Sequence, residues 1–146
     1  MGVDGSEGSY AALAWAIEEA GRRGALLDVV HAWQLPYVAA PVGLIAPPTE
    51  PHEYEVAATG LLDSMIDGCL ARTEGPRPEV ERISVCDHPG HALLETAKGA
   101  DLLVVGSRGR GGFLGLLLGS VSHQCVTHAG CPVVVVPAPH EHEKEA

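Results

Sequence analysis

The chain has 146 residues, enough for one domain that buries roughly two thirds of its unfolded surface. Its formal net charge is −10 and its isoelectric point is near 5.1, which argues against the basic face that nucleic acids and anionic membranes require. No stretch approaches the about 20 consecutive apolar residues that span a bilayer. These properties predict a globular protein without a nucleic-acid or membrane partner.

The beginning of the chain carries no basic segment followed by an apolar run, so we expect no signal peptide. The cysteines form no CxxC pair and stand among apolar helix or strand residues, which indicates reduced thiols in the core of a cytoplasmic protein. These cysteines are Cys69, Cys86, Cys125 and Cys131.

The first half of the chain predicts a short strand, a helix, a second strand and a long loop. Gly2–Asp4 resembles the end of a very short strand. A helix over Ser6–Arg23 follows, since its apolar residues recur on one face, a serine can cap its beginning, and Gly24 can end it in the left-handed conformation. Leu26–Trp33 has the composition of a strand. Residues 34–51 are rich in proline, alanine and glycine without periodicity, which predicts a loop.

The second half alternates helical and strand patterns. Apolar residues recur at helical spacing in the helices, and near-continuous valines mark the last strand. The predicted elements are, in chain order, a helix over Glu55–Arg72, a strand over Val80–Cys86, a helix over Pro89–Lys98, a strand over Asp101–Val105, a helix over Ser120–Ala129 and a strand over Cys131–Val136. Residues 1–137 then form the domain, and the polar tail at 138–146 is predicted to be disordered.

This alternation predicts an α/β fold with a doubly wound, five-stranded, mostly parallel sheet and helices on both faces. The expected strand order is 3-2-1-4-5, as in Rossmann-like folds. Right-handed crossovers then leave a crevice at the carboxyl ends of the strands, where the strand order reverses. Asp4 ends the first predicted strand and a glycine-rich segment follows the fourth. We therefore expect both features to meet one ligand in this crevice.

The glycine-rich segment lies between a buried strand and a helix, as in phosphate-binding loops. Glycine lets the backbone approach an anion and adopt dihedral angles that a side chain would forbid. The N–H groups of the next helical turn and the helix dipole favour the same anion, and hydroxyl and guanidinium groups add further donors. The residues concerned are Gly106, Arg108, Gly109, Arg110, Gly119, Ser120 and Ser122.

Each of these features also has a purely structural interpretation. The glycine-rich segment could be a surface turn, Asp4 could stabilise the dipole of the following helix, and Arg108 and Arg110 could be solvated charges. The pair His88 and His91 lacks the three or four converging ligands of a metal site. The chain contains no P-loop lysine, dinucleotide fingerprint or nucleophile elbow, so no catalytic residue is assigned.

Four stretches together resemble the universal stress protein family. They are Gly-Val-Asp-Gly-Ser-Glu at 2–7, Val-Val-His-Ala-Trp at 29–33, the glycine-rich segment at 104–122 and Cys-Pro-Val-Val-Val-Val-Pro at 131–137. The resemblance extends from Gly2 to Pro137 and is weakest at 34–54. Gly106–Ser120 follows the Gx2Gx9G[S/T] pattern of the family's ATP-binding branch. The resemblance therefore implies an ATP-binding protein.

The same resemblance implies a role for each matching residue. Asp4 would accept hydrogen bonds from the ribose hydroxyls, the backbone at His31 and Ala32 would contact the adenine, and Val3 would line the adenine pocket. The residues that would hold the phosphates are Gly106, Gly109, Gly119, Ser120, Val121 and Ser122, with Arg108 beside them. A magnesium ion that bridges the phosphates fits this assignment, because a triphosphate is strongly anionic.

These inferences predict a cytoplasmic, ATP-binding stress-response protein that acts on an unidentified protein partner as a nucleotide-dependent regulator or sensor, not as an enzyme. The resemblance implies a homodimeric switch in which Val133–Val136 pairs with its counterpart across a two-fold axis, because these valines would otherwise form an apolar edge. Two alternatives stay open. One is a slow ATPase or phosphotransferase in which Asp4 or a serine takes part in the chemistry, and the other is a dimerisation module that binds no nucleotide.

Overall fold

The computed structural model describes residues 1–36, 38–39, 45–46, 50–109 and 117–139. Helices and strands alternate in it as the sequence predicts. The elements are, in chain order, α1 (Glu7–Arg23), β1 (Leu27–Trp33), β2 (Val38–Ala39), β3 (Ile45–Ala46), α2 (Pro51–Arg72), β4 (Val80–Cys86), α3 (Pro89–Thr96), β5 (Leu103–Gly106), α4 (Ser120–His128) and β6 (Val133–Val136). Arg110 and most of the predicted tail, from residue 140 onward, lie outside the described residues.

Two parallel strand pairs form the centre of the domain. β1 pairs with β4, and β5 pairs with β6. The segment Met1–Val3 lies between the two pairs, because the Val3 N–H donates to the Val30 carbonyl oxygen at 2.9 Å and the Gly2 N–H donates to the Val104 carbonyl oxygen at 3.3 Å. The short first strand of the sequence prediction thus appears as a backbone link between β1 and β5.

Apolar side chains fill both faces of these strands. α1 and α2 cover one face, and the largest fully buried residues there are Leu13, Ile17, Val29, Leu62, Met65 and Ile66. α3 and α4 cover the other face, and the buried residues there are Val30, Ala92, Leu93, Ala97, Leu103, Val105 and Cys125. Val29 and Val30 are neighbours in β1 but belong to opposite clusters, as expected for side chains that alternate across a strand. The structure agrees with helices on both faces.

The region predicted as a loop over 34–51 differs in two respects. β2 and β3 form an antiparallel pair in it, with Val38 opposite Ala46 and Ala39 opposite Ile45. Strands of two residues carry no measurable periodicity, so the sequence pattern cannot reveal them. α2 also begins earlier than predicted, at Pro51, because the fixed φ and the missing N–H of proline suit the first position of a helix.

The termini of α1 are those that the sequence predicts. Ser6 is the N-cap, and its Oγ accepts a hydrogen bond from the Ser9 N–H at 3.2 Å. Gly24 ends the helix with φ of 61°, in the left-handed region that a side chain would disfavour. These caps fix the start of α1 directly after Asp4, so they also fix one side of the site described below.

The cysteines occupy more varied positions than predicted. Cys69 and Cys125 are buried, and burial raises the pKa of both thiols. Cys131 is half-buried, whereas Cys86 is exposed. The prediction of core thiols is wrong for Cys86, because it is the last residue of β4 and lies where the strand leaves the packed layers.

Candidate functional site

A cleft of about 960 Å³ lies at the ends of β1 and β5, next to the segment that follows Met1–Val3. Apart from Arg110, which lies outside the described residues, the residues that the sequence analysis assigned to ligand binding line this cleft. They are Val3, Asp4, His31, Ala32, Gly106, Arg108, Gly109, Gly119, Ser120, Val121 and Ser122. These residues come from the beginning, the first third and the last third of the chain, so the fold itself brings them together.

The first turn of α4 supplies backbone donors to the cleft. α4 begins at Ser120, and no side chain among the described residues caps it. The His123 N–H donates to the Gly119 carbonyl oxygen at 2.9 Å, so the N–H groups of Ser120, Val121 and Ser122 precede the hydrogen-bond ladder of the helix. Such amides attract anions, because the positive end of the helix dipole lies there. This turn can therefore bind a phosphate.

The N–H of Gly119 has a different role from the one expected. It donates to the Ser107 carbonyl oxygen at 2.8 Å. This bond joins the end of β5 to the N-cap of α4 and leaves the Gly119 N–H engaged within the protein. Gly119 therefore positions the helix, and the donors for an anion begin one residue later, at Ser120.

The glycines of the cleft provide space and not unusual dihedral angles. Among the described glycines, positive φ occurs only at Gly5, Gly24 and Gly99, so the expectation of special dihedral angles in the glycine-rich segment is wrong for its described part. A Cβ atom at Gly106 would lie 3.0 Å from the Gly8 carbonyl oxygen. A Cβ atom at Gly109 would collide with Oδ2 of Asp4. The missing side chains let β5 approach α1 and let Asp4 reach the glycine-rich segment.

Asp4 serves the fold and the cleft with different oxygens. Its Oδ1 accepts hydrogen bonds from the N–H of Ser6 at 2.9 Å and from the hydroxyl of Ser6 at 2.6 Å. The carboxylate thus supports the N-cap of α1, which is the structural interpretation considered for it. Its Oδ2 lies against Gly109 in the cleft. The predicted meeting of Asp4 with the glycine-rich segment is therefore present in the structure.

His31 is held by the backbone of Val3. The imidazole is buried, and its Nδ1 lies 2.9 Å from the Val3 carbonyl oxygen. A carbonyl oxygen can only accept, so Nδ1 is the donor of this hydrogen bond. This hydrogen bond holds the imidazole beside the backbone of Val3, where the ring lines the cleft.

Ser122 departs from the expected role of a hydroxyl donor to a ligand. It is buried, and its hydroxyl donates to the Gly106 carbonyl oxygen at 2.5 Å. The hydroxyl proton is thus directed to the end of β5, and Ser122 contributes its backbone N–H to the cleft. Ser120 and Arg108 are both exposed, so their side chains supply the hydroxyl and the positive charge at this end.

Several residues that line the cleft were missed by the sequence analysis. Trp33 is the last residue of β1, and its indole N–H donates to Ser84 Oγ in β4 at 3.1 Å, which fixes the ring at the end of the strand. Its position at a strand end was a usable signal. Pro89 and Leu93 of α3 and His123 of α4 also line the cleft. Nothing in their sequence context marks them, because only the packing of α3 and α4 brings them there.

Among the described residues, the charged and titratable side chains at the cleft are Asp4, His31, Arg108 and His123. Within the ranges that the structure describes, no three His, Cys, Asp or Glu side chains are grouped so that they could hold a metal ion. Any anion held in the cleft would therefore be bound mainly by backbone donors.

A search of the ranges that the structure describes finds no helix that is both long and apolar enough to cross a membrane.

Comparison with known proteins identifies the family. The model of the universal stress protein family matches residues 1–137, and the chain belongs to that family. A universal stress protein of Mycolicibacterium smegmatis is 43% identical over 138 residues, which cover 93% of this chain and 44% of that protein. The chain thus spans less than half the length of this relative.

Solved structures have the same fold. A universal stress protein in complex with cAMP superposes with a TM-score of 0.68 at 28% identity, over 95% of this chain and 94% of that chain. The universal stress protein UspA from Lactobacillus plantarum has a TM-score of 0.69 at 22% identity, over 92% of this chain and 93% of that chain, and supports the fold alone. The α/β fold expected from the sequence is therefore that of the universal stress proteins.

Proposed function

We propose that the cleft binds an adenine nucleotide, and that ATP is the nucleotide it takes. The observation that carries this proposal is the first turn of α4, which no described side chain caps and whose amides at Ser120, Val121 and Ser122 border a cleft that also contains Arg108. A cluster of backbone donors beside the Arg108 guanidinium suits phosphate oxygens. The 28% identical structure that was solved with cAMP adds support, because an adenine nucleotide binds to that protein.

Each part of the nucleotide has a matching part of the cleft. Oδ2 of Asp4 lies against Gly109 and would accept hydrogen bonds from the ribose hydroxyls. The base would lie at the end of β1, beside Ala32 and the indole of Trp33. The phosphates would lie on the first turn of α4. A bound magnesium ion would neutralise phosphate charge, and its ligands would be the phosphates and water, since carboxylates at the cleft are limited to Asp4 among the described residues.

We further propose the finer sheet topology and a homodimer. The hydrogen bonds of Gly2 and Val3 to β5 and β1 support one five-stranded sheet in the predicted order 3-2-1-4-5. In the labels of the structure, this order runs β4, β1, Met1–Val3, β5 and β6. β6 pairs only with β5 among the described strands, and its four valines are half-buried. Pairing of Val133–Val136 with a second copy would cover this edge. The protein would then act as a cytoplasmic nucleotide-dependent switch for an unidentified protein partner, and not as an enzyme.

Thermal unfolding with and without ligand tests the binding proposal. If ATP is present at about 100 times its Kd, the folded state gains about 2.7 kcal/mol. For a chain of this length that gain raises Tm by roughly 5 to 11 °C. Adenosine, which lacks phosphates, should raise Tm far less. Equal shifts with ATP and adenosine, or no shift at millimolar ATP, would overturn the assignment of the phosphate site.

The variant Asp4→Asn tests the ribose assignment. Asparagine keeps an oxygen that can accept from Ser6, so the N-cap of α1 is preserved, but it removes the negative charge. Wild-type protein should bind ATP more tightly than 2′-deoxy-ATP, and the variant should lose most of that preference. If both proteins discriminate equally between the two nucleotides, Asp4 does not contact the ribose.

A further inference from the structure

Ser107 forms hydrogen bonds with three different parts of the chain. It follows β5 directly, and its N–H donates to the Val136 carbonyl oxygen at 2.8 Å, at the end of β6. Its carbonyl oxygen accepts from the Gly119 N–H at 2.8 Å, at the N-cap of α4. Its hydroxyl oxygen accepts from the Ala138 N–H at 3.2 Å, in the segment that leaves β6. One residue thus connects the start of α4 with the last strand and with the chain beyond it.

The surroundings of Ser107 show how closely these segments approach one another. A Cβ atom placed on Gly8, in the first turn of α1, would lie 2.9 Å from the Arg108 carbonyl oxygen and 3.6 Å from Cβ of Ala138. The glycine-rich segment and the chain after β6 therefore both lie against the start of α1. Ser107 itself is half-buried.

We propose that Ser107 is a positioning residue of the cleft, which acts through Gly119 and couples the anion site to the segment Pro137–Pro139. The Gly119 N–H cannot leave the Ser107 carbonyl oxygen without moving the N-cap of α4, and the amides of the first turn move with that N-cap. The Ser107 hydroxyl adds the bond to Ala138, so the orientation of this helix start and the course of the departing chain depend on the same residue.

The coupling has a quantitative consequence, and it rests on the proposed function. If an anion bound to α4 favours the state in which the Ala138 bond is formed, then that bond must favour anion binding by the same factor. The net contribution of one such hydrogen bond corresponds to about a two- to tenfold change in an equilibrium. Saturation with ATP should therefore slow hydrogen exchange of the Ala138 amide by some factor in this range. Ser107→Ala should weaken ATP binding by the same factor.

The experiment combines amide hydrogen exchange by NMR with ATP titration calorimetry on the full chain. The Met65 amide, inside α2 at a fully buried residue, reports on global stabilisation and is used to correct the exchange rates. In ligand-free protein, Ser107→Ala should speed exchange at Ala138 by about two- to tenfold more than exchange at Met65. Ser107→Thr, which keeps a hydroxyl, should restore both the exchange rate and the affinity. Unchanged exchange at Ala138 in Ser107→Ala would overturn the proposal.

A second variant removes the donor and leaves Ser107 in place. Ala138→Pro removes the N–H that donates to Ser107 Oγ, and the position before Pro139 favours the extended backbone that proline also adopts. It should weaken ATP binding, as Ser107→Ala does, and unchanged affinity would overturn the coupling. If wild-type protein binds no ATP, the proposed function fails, while the ligand-free exchange of Ser107→Ala still shows whether the hydroxyl bond exists.

Discussion

Replacement of Ser120 can separate the contribution of a backbone amide from that of a side chain. Ser120 is the first residue of α4, a position that accepts proline, and Gly119 before it has φ of −70° and ψ of 166°, the extended backbone that a following proline requires. Ser120→Pro removes both the N–H and the hydroxyl without breaking the helix. Ser120→Ala removes only the hydroxyl. The difference between the two variants therefore isolates the amide.

The expected magnitude follows from the charge of the ligand. A hydrogen bond to a charged group contributes about 1.5 to 3 kcal/mol, which corresponds to about a 10- to 150-fold change in Kd. Ser120→Pro should therefore bind ATP about 10- to 150-fold more weakly than Ser120→Ala, as measured by titration calorimetry. Thermal unfolding without ATP should be similar for the two variants, because neither substitution breaks a hydrogen bond within the helix. If both variants bind ATP with the same Kd, the amide of residue 120 does not contact the ligand.

Three further predictions concern the room for a side chain at residue 109, the helix propensity of residue 68 and the pKa of His91. Gly109→Ala should weaken ATP binding in calorimetry, since its Cβ would displace the carboxylate of Asp4, and unchanged affinity would contradict the proximity seen here. Gly68→Ala should stabilise the protein by about 1 kcal/mol in urea denaturation, because the site lies inside α2 with open space around it, and a destabilised variant would contradict this. NMR titration should show a pKa of His91 above its usual 6.5, chiefly owing to its hydrogen bond with Asp87, and Asp87→Asn should lower that pKa.

The pair of Asp87 and His91 also defines a pH window. The hydrogen bond between Asp87 and His91 lowers the pKa of the Asp87 carboxyl below its usual 3.8. The stabilisation from this carboxylate is therefore lost as pH falls through the lowered pKa. The raised pKa of His91 gives stabilisation that is complete below 6.5 and is lost as pH rises through the raised value. The pair therefore contributes most between about pH 4 and 6.5. Both side chains border solvent, so added salt should weaken the effect.

The sequence predicted the large elements well because their patterns are long. α1 has caps at both ends and a continuous apolar face, and its predicted range differs from the observed one by a single residue at the start. β2 and β3 were missed, because two residues cannot show a period. The composition of 34–51 predicts a loop that includes Pro51, whereas α2 begins there, since proline is also favoured at the first position of a helix. Whether a proline such as Pro51 starts a helix or lies in a loop depends on tertiary packing, which the local sequence does not show.

The sequence predicted which residues would lie near one another at the candidate site, but it did not predict the hydrogen bonds among them. Apart from Arg110, which lies outside the described residues, the residues that spacing and resemblance select line one cleft. They could not show that the Ser122 hydroxyl donates to Gly106, or that the Gly119 N–H donates to Ser107. These bonds depend on how the end of β5 meets α4, which is a tertiary contact. The role of the glycines was also misjudged, since Gly109 provides room for Asp4 and needs no unusual dihedral angle.

The central claim is that the first turn of α4 donates backbone hydrogen bonds to the phosphates of a nucleotide. A titration of isotope-labelled protein with ATP, followed through its amide NMR signals, tests this directly. The account predicts large downfield shifts of the amide protons of Ser120, Val121 and Ser122, with smaller changes at Thr73, far from the cleft. Saturable ATP binding that leaves those three amide signals unmoved would contradict it.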